Sequence, residues 1–429
     1  MLYRALLLAA ILTTVELGIK ILPRLGQLTY GSTEYSGPSV DVVQLQLPRR
    51  HEEEYARLIQ RLDRSNGKWD TSHPRYRLLN ALYSYAKYQE KSLAEVNRWR
   101  DLYRHVPKRQ RSLVDSTIHY TRKLNKAEHL LETNGQVAKA IVDYGLRFYN
   151  ISRSELDEFI HASESQNRAA DRTSVAQSMK HFVRDWADEG YEERQQSFQC
   201  ILGLLSRTPR HERPLRVLLP GAGLGRLAHE VDKLGGYEVT MNEWSAFMNL
   251  AYRYLSSLST PNSVSFHPYI DWWSHQATTS DLQRSVAFPD AVVDSTSVLL
   301  IEGDFTTVLN ENTGTYDIIV TLFFIDTARN LVSYLETIHR LLRPGGRWIN
   351  LGPLLYGSGP FVQLSLDEIV QLSERIGFEF QETDEECGTI TLPGIPVRGL
   401  EVAYAQNTRG LSKNAYLAQL WEAIKIEKG

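Results

Sequence analysis

The sequence contains little cysteine and lacks any long hydrophobic run. Cys200 and Cys387 are the only cysteines among 429 residues. Because they lie far apart and match no metal-ligand spacing, neither a disulfide framework nor a zinc ribbon is expected, and neither cysteine has an assigned role. No apolar run approaches the about 20 residues that a helix needs to cross a bilayer. A formal net charge of −3 offers no basic face to a nucleic-acid partner. These absences leave a globular protein, expected to be an enzyme without a metal site.

The first 23 residues are the unusual segment. Arg4 is followed by an uncharged stretch, Ala5 to Val15, which ends before Glu16. Its length suits the apolar centre of a secretory signal, although no small-residue cleavage site follows. Two interpretations stay open: a signal or anchor that brings the chain to a membrane, and a plain helix packed on the body of the protein. Residues 24–47 then read as a linker. The expected location is therefore either cytoplasmic or membrane-associated through the secretory route, and nothing indicates an oligomeric state.

The rest of the chain divides into a helical part and an alternating part. Amphipathic helical patterns run through residues 48–213, with breaks predicted at Pro107 and at Asn134-Gly135. From Pro214 onward, helical patterns alternate with the apolar runs LRVLLP, YEVTMNE, SVLLIEGD, YDIIVTLFF and RWINLGP. This alternation is typical of a parallel α/β sheet. We therefore expect one doubly wound, Rossmann-like α/β domain over residues 214–429, preceded by a largely helical N-terminal region.

A glycine-rich turn follows the first predicted strand, in the sequence PGAGLG from Pro220 to Gly225. Glycines let the backbone approach a ligand closely, and the N-terminus of the next helix supplies hydrogen-bond donors. Glu243 ends the second strand, 22 residues after Gly221, where a carboxylate can accept both hydroxyls of a ribose. Together these features predict a site for a nucleotide-like cofactor. The alternative is a glycine turn that only packs the helix on the strand.

Further motifs distinguish between cofactor classes. Gly303-Asp304-Phe305 ends the third strand, where a carboxylate can bond an adenine amino group, and Pro344-Gly345-Gly346 precedes the fifth strand. This set resembles class I S-adenosylmethionine-dependent methyltransferases rather than nicotinamide enzymes. Longer motifs narrow the resemblance to the carnosine N-methyltransferase family: KHFVRDWADEGYEER, PGAGLGRLAHE, NEWSAFM, HPYI, GDF, FFIDTARN and LRPGGRWINLGPLLY. The resemblance extends over about residues 70–410.

The resemblance implies S-adenosylmethionine as the cofactor and assigns its contacts. Arg184 falls where the family contacts the carboxylate end of the cofactor, which a guanidinium suits. His181 stands where the family usually has glutamine. The other implied contacts are Gly221 and Gly223 under the methionine portion, Glu243 on the ribose, Asp304 and Phe305 at the adenine, and Leu322 lining the pocket. For Arg184 the alternative is a surface ion pair with Asp185 or Asp188.

Asp326 is the predicted catalytic residue. It follows the aromatic pair Phe323-Phe324 after the fourth strand, at the carboxyl edge where open α/β sheets bind ligands. A carboxylate beside a sulfonium can hold a nucleophilic nitrogen through its N–H and take its proton. The alternative is that Asp326 caps a helix beginning at Thr327.

The acceptor end departs from the family pattern. Trp272, in an aromatic insertion, and Tyr356, after the fifth strand, are the candidate substrate contacts; core packing is the alternative for the insertion. The family has a histidine after PLLY, whereas Gly357 stands here, and the family's tyrosine-rich stretch near the C-terminus is expected to be absent. We therefore expect N-methylation of a small peptide or a peptide-derived secondary metabolite. Carnosine itself, a protein side chain and a non-catalytic cofactor-binding scaffold are the alternatives.

Overall fold

The computed structural model describes residues 47–209, 211–357 and 359–427. The apolar segment 1–23 and the linker up to residue 46 lie outside the described residues, so the expectations for them stay predictions. Among the residues described, no helix is both long enough and apolar enough to cross a membrane.

Helices make up the first part of the described chain, as the sequence predicts. Local sequence sets several of their starts, because His73 accepts a hydrogen bond from Arg75 N and Asp171 accepts one from Ser174 N, each as an N-cap. The eight α-helices described before the first strand are α1 (Arg49–Arg61), α2 (Pro74–Ala86), α3 (Tyr88–Arg104), α4 (Lys108–Ile118), α5 (Tyr120–Phe148), α6 (Arg153–Ser165), α7 (Arg172–Trp186) and α8 (Tyr191–Ser206).

The break predicted at Asn134-Gly135 is wrong, because both residues lie buried inside α5. Asn134 serves a tertiary contact: its Nδ2 donates to the backbone oxygen of His267 at 3.0 Å, and its Oδ1 accepts from the His267 backbone nitrogen at 2.7 Å. A Cβ at Gly135 would come within 2.6 Å of the Gln89 side chain. These two residues therefore let neighbouring elements approach the helix. The sequence pair Asn-Gly looks the same whether it serves such a contact or forms a turn.

The strands form one large mixed sheet and one small hairpin. In chain order they are β1 (Leu215–Pro220), β2 (Tyr237–Glu243), β3 (Val264–Phe266), β4 (Val286–Phe288), β5 (Leu299–Glu302), β6 (Tyr316–Leu322), β7 (Leu342–Gly352), β8 (Phe378–Gln381), β9 (Thr389–Ile390), β10 (Arg398–Ala403) and β11 (Ala415–Lys425). The large sheet has the order β5-β2-β1-β6-β7-β11-β10-β9, with β8 also beside β11, and β3 pairs with β4 separately. The first five strands of that order run parallel, whereas β11 is antiparallel to β7.

Helices cover both faces of the parallel strands, which confirms the predicted doubly wound α/β class. Alternate residues of β1 enter different cores: Val217 and Leu219 pack on one face, and Leu218 packs on the other. A strand buried on both sides needs the continuous apolar run that identified it in the sequence. The helices of this part are α9 (Arg226–Lys233), α10 (Ala246–Leu255), α11 (Thr279–Gln283), α12 (Phe305–Val308), α13 (Leu331–Leu341) and α14 (Leu366–Ile376).

The N-terminal helices share a core with the sheet. Leu82 of α2 and Ile141 of α5 belong to the same buried cluster as Val217 of β1 and Met241 of β2. Pro214 therefore marks a change of secondary structure within one continuous core, and the helices close one face of the sheet.

Cys200 on α8 and Cys387, at the end of the 3₁₀ turn Glu385–Cys387, form a disulfide with their Cα atoms 5.7 Å apart. The sequence analysis left both cysteines without a role, because a separation of 187 residues carries no sign of pairing. The correction is a single cross-link between α8 and the C-terminal strands. Among the described residues, no group of three or more His, Cys, Asp and Glu side chains is arranged to hold a metal ion.

Candidate cofactor and catalytic site

The glycine-rich turn connects β1 to α9 at the carboxyl edge of the sheet. Gly221, Gly223 and Gly225 have φ angles of 62°, 57° and 75°, in the left-handed region that favours glycine. At Gly221 a Cβ would also come within 2.3 Å of the Phe324 ring. The turn forms a wall of a cavity of about 230 Å³, so its backbone can approach a ligand there closely.

Glu243, at the end of β2, lies buried on the same cavity. Its Oε2 accepts a hydrogen bond from Gly223 N at 2.9 Å, and its Oε1 accepts one from Ser245 N at 2.7 Å. Burial raises the pKa of Glu243, although these backbone hydrogen bonds act in the opposite direction. A carboxylate has about four acceptor sites, so one remains beside the backbone bonds from Gly223, Ser245 and Trp244 to accept a ribose hydroxyl.

Helix α7 places Arg184 on the opposite wall. The side chain is only 12% exposed, and its Nε lies 3.5 Å from Asp185 and 3.4 Å from Glu193. Burial by itself lowers the pKa of Arg184, but Asp185, the Tyr404 ring and Glu193 raise it overall, so the group remains a cation. The ion pair with Asp185 therefore exists, but it is buried beside the cavity and does not lie on the surface. The contact of Arg184 with a cofactor carboxylate stays a prediction.

His181 lies one turn before Arg184 and lines the same cavity. Its Nδ1 is 3.4 Å from Asp185. A Cβ at Gly223 would lie 3.8 Å from that nitrogen, so the absent side chain leaves open space between the turn and α7. This space fits a ligand that runs from the turn toward Arg184.

The structure brings together most of the predicted cofactor contacts. The cavity is lined by six of them: His181, Arg184, Gly221, Gly223, Glu243 and Leu322. Asp304 and Phe305 do not line it, but they follow β5, the strand next to β2, and Gly303 N donates to Glu243 O at 3.0 Å. Asp304 Oδ1 caps α12 by accepting from Thr306 N at 2.8 Å. Their role at the adenine stays a prediction.

Two aromatic side chains on the cavity were missed by the sequence analysis. Phe323 and Tyr404 both line it, with ring centroids 4.8 Å apart. Tyr416 lies 6.0 Å from Tyr404, across the pairing of β10 with β11. Strand pairing brings these two tyrosines beside Phe323 although they are 12 residues apart, and the expected absence of the family's tyrosine-rich stretch stays a prediction.

Asp326 lies in the 3₁₀ turn Ile325–Thr327, directly after β6, and is 6% exposed. Its Oδ2 accepts a hydrogen bond from Leu355 N at 2.9 Å, which ties this turn to the segment after β7. Burial raises the pKa of Asp326 to about 6, while the Leu355 hydrogen bond acts to lower it. Asp326 does not itself line the cofactor cavity, but it stands three residues beyond Phe323, which does.

The helix-cap interpretation of Asp326 is wrong. The next helix, α13, begins five residues later at Leu331, with Asn330 at its N-cap. Instead, Asp326 accepts from Leu355 N and so joins the loops that follow β6 and β7. Its catalytic role stays a prediction.

The two predicted substrate contacts differ in their surroundings. The Tyr356 hydroxyl donates to Leu364 O at 2.7 Å and accepts from Leu364 N at 3.1 Å, which commits it to holding a loop. Trp272 is 47% exposed and lines a second cavity, whereas Trp273 packs on Trp99 with centroids 4.9 Å apart. Within the aromatic insertion, Trp272 therefore fits a cavity wall, and Trp273 fits core packing.

Comparison with known proteins decides the family. A family model described as carnosine N-methyltransferase matches residues 161–427. The carnosine N-methyltransferase of Mus musculus is 31% identical over 333 residues, which cover 74% of this chain and 80% of that protein. The chain belongs to the carnosine N-methyltransferase family. The member from Schizosaccharomyces pombe is 31% identical over 293 residues, covering 62% of this chain and 77% of its own.

A solved structure of Haemonchus contortus phosphoethanolamine N-methyltransferase 2 in complex with S-adenosyl-L-methionine aligns with 58% of this chain and 60% of that chain, at 13% identity and a TM-score of 0.34.

Family membership confirms the resemblance read from the motifs. The protein is an S-adenosylmethionine-dependent N-methyltransferase that acts on a small metabolite. The donor set of the cavity fits this cofactor, because it combines a buried cation, a glycine turn and a carboxylate at the end of β2.

Proposed function

We propose that the protein methylates a nitrogen of a small peptide or a peptide-derived metabolite, with Asp326 as the catalytic carboxylate. The observation that carries the proposal is the burial of this carboxylate at the carboxyl edge of the sheet, just beyond the cofactor cavity. S-adenosylmethionine supplies a methyl group that is already activated, so the protein mainly has to align an uncharged nitrogen and receive its proton.

The contacts proposed for Arg184, Gly221, Gly223 and Glu243 follow from their places on the cavity wall, and those for Asp304 and Phe305 follow from the family resemblance. Arg184 pairs with the carboxylate of the cofactor, and the turn at Gly221 and Gly223 runs beside its methionine portion. Glu243 accepts a ribose hydroxyl, and Asp304 with Phe305 contacts the adenine.

Asp326 is suited to hold the acceptor. Above its pKa of about 6 the carboxylate is ionised at neutral pH, and in a poorly hydrated site its hydrogen bond to an N–H is stronger than in water. Its Oδ2 is occupied by Leu355 N, which fixes the orientation of the group. A lone pair not used by the Leu355 and Asp326 backbone N–H groups accepts the acceptor's N–H and then its proton.

The preference for an acceptor other than carnosine rests on Gly357. A Cβ added at Gly357 meets no atom within 4 Å, so this position, where the family has histidine, supplies neither a contact nor a wall. Carnosine is the second candidate, and the observation that favours it is the presence of Tyr404 and Tyr416 beside Phe323.

Transfer of a tritiated methyl group from S-adenosylmethionine tests the proposal. The acceptors are carnosine, tripeptides, tetrapeptides and a protein fraction, each with the same enzyme preparation. We expect label in the peptides and only slow labelling of carnosine. A kcat/KM for carnosine of about 10⁴ M⁻¹s⁻¹ or more, label confined to protein, or no label despite measured cofactor binding would each contradict the proposal.

A further inference from the structure

A second cavity, of about 400 Å³, lies beside the cofactor cavity and shares Arg184 with it. Its volume falls within the about 300–1,000 Å³ typical of small-ligand pockets. Ala403 and Ala405 line it, and Tyr404 between them lines the cofactor cavity instead. The two cavities therefore meet at Arg184 and Tyr404, and the Tyr404 ring lies 4.8 Å from that of Phe323, three residues before Asp326.

Hydrogen bonds between separate loops build this second cavity. Its rim combines the start of α8, the insertion between β3 and α11, and the loop between β10 and β11. Leu411 N donates to His275 O at 2.7 Å. Arg284 donates to Glu189 at 3.0 Å and to Asn407 at 2.7 Å. Bonds from each loop to the next fix the cavity's shape, so it is not a gap between mobile loops.

The lining has the chemistry that recognises a peptide. Amide side chains are present at Gln196, Gln406 and Asn414, and aromatic rings at Tyr269 and Trp272. The Gln196 oxygen already accepts from Ala403 N and the Asn414 nitrogen already donates to Tyr404 O. Gln196 therefore offers a donor, Asn414 an acceptor, and Gln406 both, which match the groups of a peptide bond. The rings offer apolar contact to side chains at little entropic loss. Glu189, Glu192 and Glu193 also line the cavity, so the wall suits a short peptide better than a purely apolar or a polyanionic ligand.

Lys180 places a positive charge on the wall of the second cavity. It lies four residues before Arg184 on α7, and therefore on the same face of that helix. It lines the second cavity but not the cofactor cavity. Burial lowers the pKa of Lys180, while nearby Asp271 acts to raise it and Arg172 to lower it. Among the described residues its ammonium group has no hydrogen-bond partner, so it is free to bind a carboxylate.

We propose that the second cavity is an acceptor subsite that holds the peptide chain beyond the methylated nitrogen, with Lys180 binding the acceptor's C-terminal carboxylate. This inference rests on the proposed function, because it names the part of a peptide acceptor that lies away from Asp326. Acceptors of three to five residues with a free C-terminus are accordingly the preferred class.

Calorimetry on the enzyme saturated with S-adenosylhomocysteine tests the subsite without turnover. The probes are alanine peptides of two to five residues, each with a free or an amidated C-terminus. We expect affinity to rise with length, and tetraalanine to bind about tenfold more tightly than its amide, as befits a hydrogen bond between charged groups. Lys180→Met removes the difference between acid and amide, and Lys180→Arg keeps it.

Two controls make the result specific. Lys68→Met changes an exposed lysine that pairs with Asp70 at 3.3 Å, and it should leave all peptide affinities unchanged. The affinity for S-adenosylhomocysteine should be unchanged in every variant, which shows that the fold is intact.

Equal affinity for acid and amide in the wild-type enzyme, or a difference that survives Lys180→Met, would overturn the inference. Affinity that depends neither on peptide length nor on Trp272→Ala would overturn it as well. The proposed function fails in another way, namely when peptides bind with the expected length dependence but none of them accepts a methyl group.

Discussion

The burial of Asp326 sets a lower pH limit for the reaction. Its pKa of about 6 means that the carboxylate is ionised at neutral pH and becomes protonated, and unable to take a proton, in more acidic solution. We expect kcat/KM for the acceptor to fall about tenfold per pH unit below about pH 6. The measurement is a pH–rate profile with a peptide acceptor at saturating cofactor. A profile that stays flat down to pH 5 would exclude Asp326 as the base.

Replacing Asp326 by asparagine should separate catalysis from folding. The asparagine side chain would keep an oxygen for Leu355 N but could not accept a proton, so we expect turnover to fall about 10²- to 10⁴-fold with cofactor affinity unchanged. A carboxyl group whose pKa is raised by burial favours the fold while protonated and loses that contribution as pH rises through about 6. The neutral amide avoids this loss, so the free energy of unfolding at pH 7 should not decrease.

The alanine variant is the control for Asp326→Asn. Asp326→Ala also removes the acceptor of the Leu355 N–H bond, so urea denaturation should show an additional loss of about 1–3 kcal/mol. Turnover close to wild type in either variant would contradict the catalytic assignment.

Gly221 is expected to tolerate no side chain. In Gly221→Ala the new Cβ would lie within 2.3 Å of the Phe324 ring, and the alanine would have to adopt a φ of 62°. Left-handed backbone strain costs about 1–2 kcal/mol, and the clash shifts the turn that borders the cofactor. We expect a marked loss of S-adenosylmethionine affinity by calorimetry. Gly235→Ala, with a φ of 72° and no neighbouring atom within 4 Å, carries the strain alone and should keep cofactor affinity.

At the scale of elements, local pattern predicted the parallel strands but missed β11. The segment Ala415–Lys425 has one β-branched residue, Ile424, and contains three alanines and two leucines, which favour helix. It forms a strand because β7 lies on one side and β8 and β10 lie on the other. Tertiary pairing therefore overrides propensity here.

The difference between local pattern and tertiary pairing also explains which site residues the sequence could locate. The glycine turn and Glu243 follow directly from strand ends, so the sequence alone could locate them. Tyr404 reaches the cavity only because β10 pairs with β11, and that pairing has no short-range signal. Asp326 was identified by position, whereas its bond to Leu355 N depends on how the loops after β6 and β7 meet.

One face of α8 holds the C-terminal segment that carries Tyr404. Glu193, Gln196 and Cys200 are spaced by three and four residues, so they share a face of the helix. Glu193 accepts from Ala405 N at 2.8 Å, and Gln196 accepts from Ala403 N at 3.1 Å. The disulfide from Cys200 extends this contact by one more turn.

Removing the disulfide should therefore loosen this segment. We expect Cys387→Ser to lower the free energy of unfolding by about 2–5 kcal/mol, as in other native disulfides that close long loops, measured by urea denaturation. Dithiothreitol should produce the same loss in the wild-type protein and none in the variant. Alkylation of the native protein by iodoacetamide before reduction would show free thiols and contradict the cross-link.

At the scale of the whole molecule, the helices before Pro214 and the sheet after it are one folding unit. Arg50 of α1 donates to Val239 O of β2 at 3.2 Å, and the Tyr149 hydroxyl donates to Glu302 of β5 at 2.9 Å. With the shared buried cluster, these contacts make the stability of each part depend on the other.

A substitution in the helices should accordingly destabilise the sheet. Leu82 on α2 is fully buried in the shared cluster, and Leu82→Ala leaves a cavity that costs about 2–5 kcal/mol. Hydrogen-exchange mass spectrometry in denaturant should show the same loss of protection in peptides from α2 and from β1, because one cooperative unit has one unfolding free energy. Leu113→Ala, at a side chain 66% exposed on α4, should change neither. Loss of protection confined to the helices would mean that the sheet folds independently, and that the helices cover it without stabilising it.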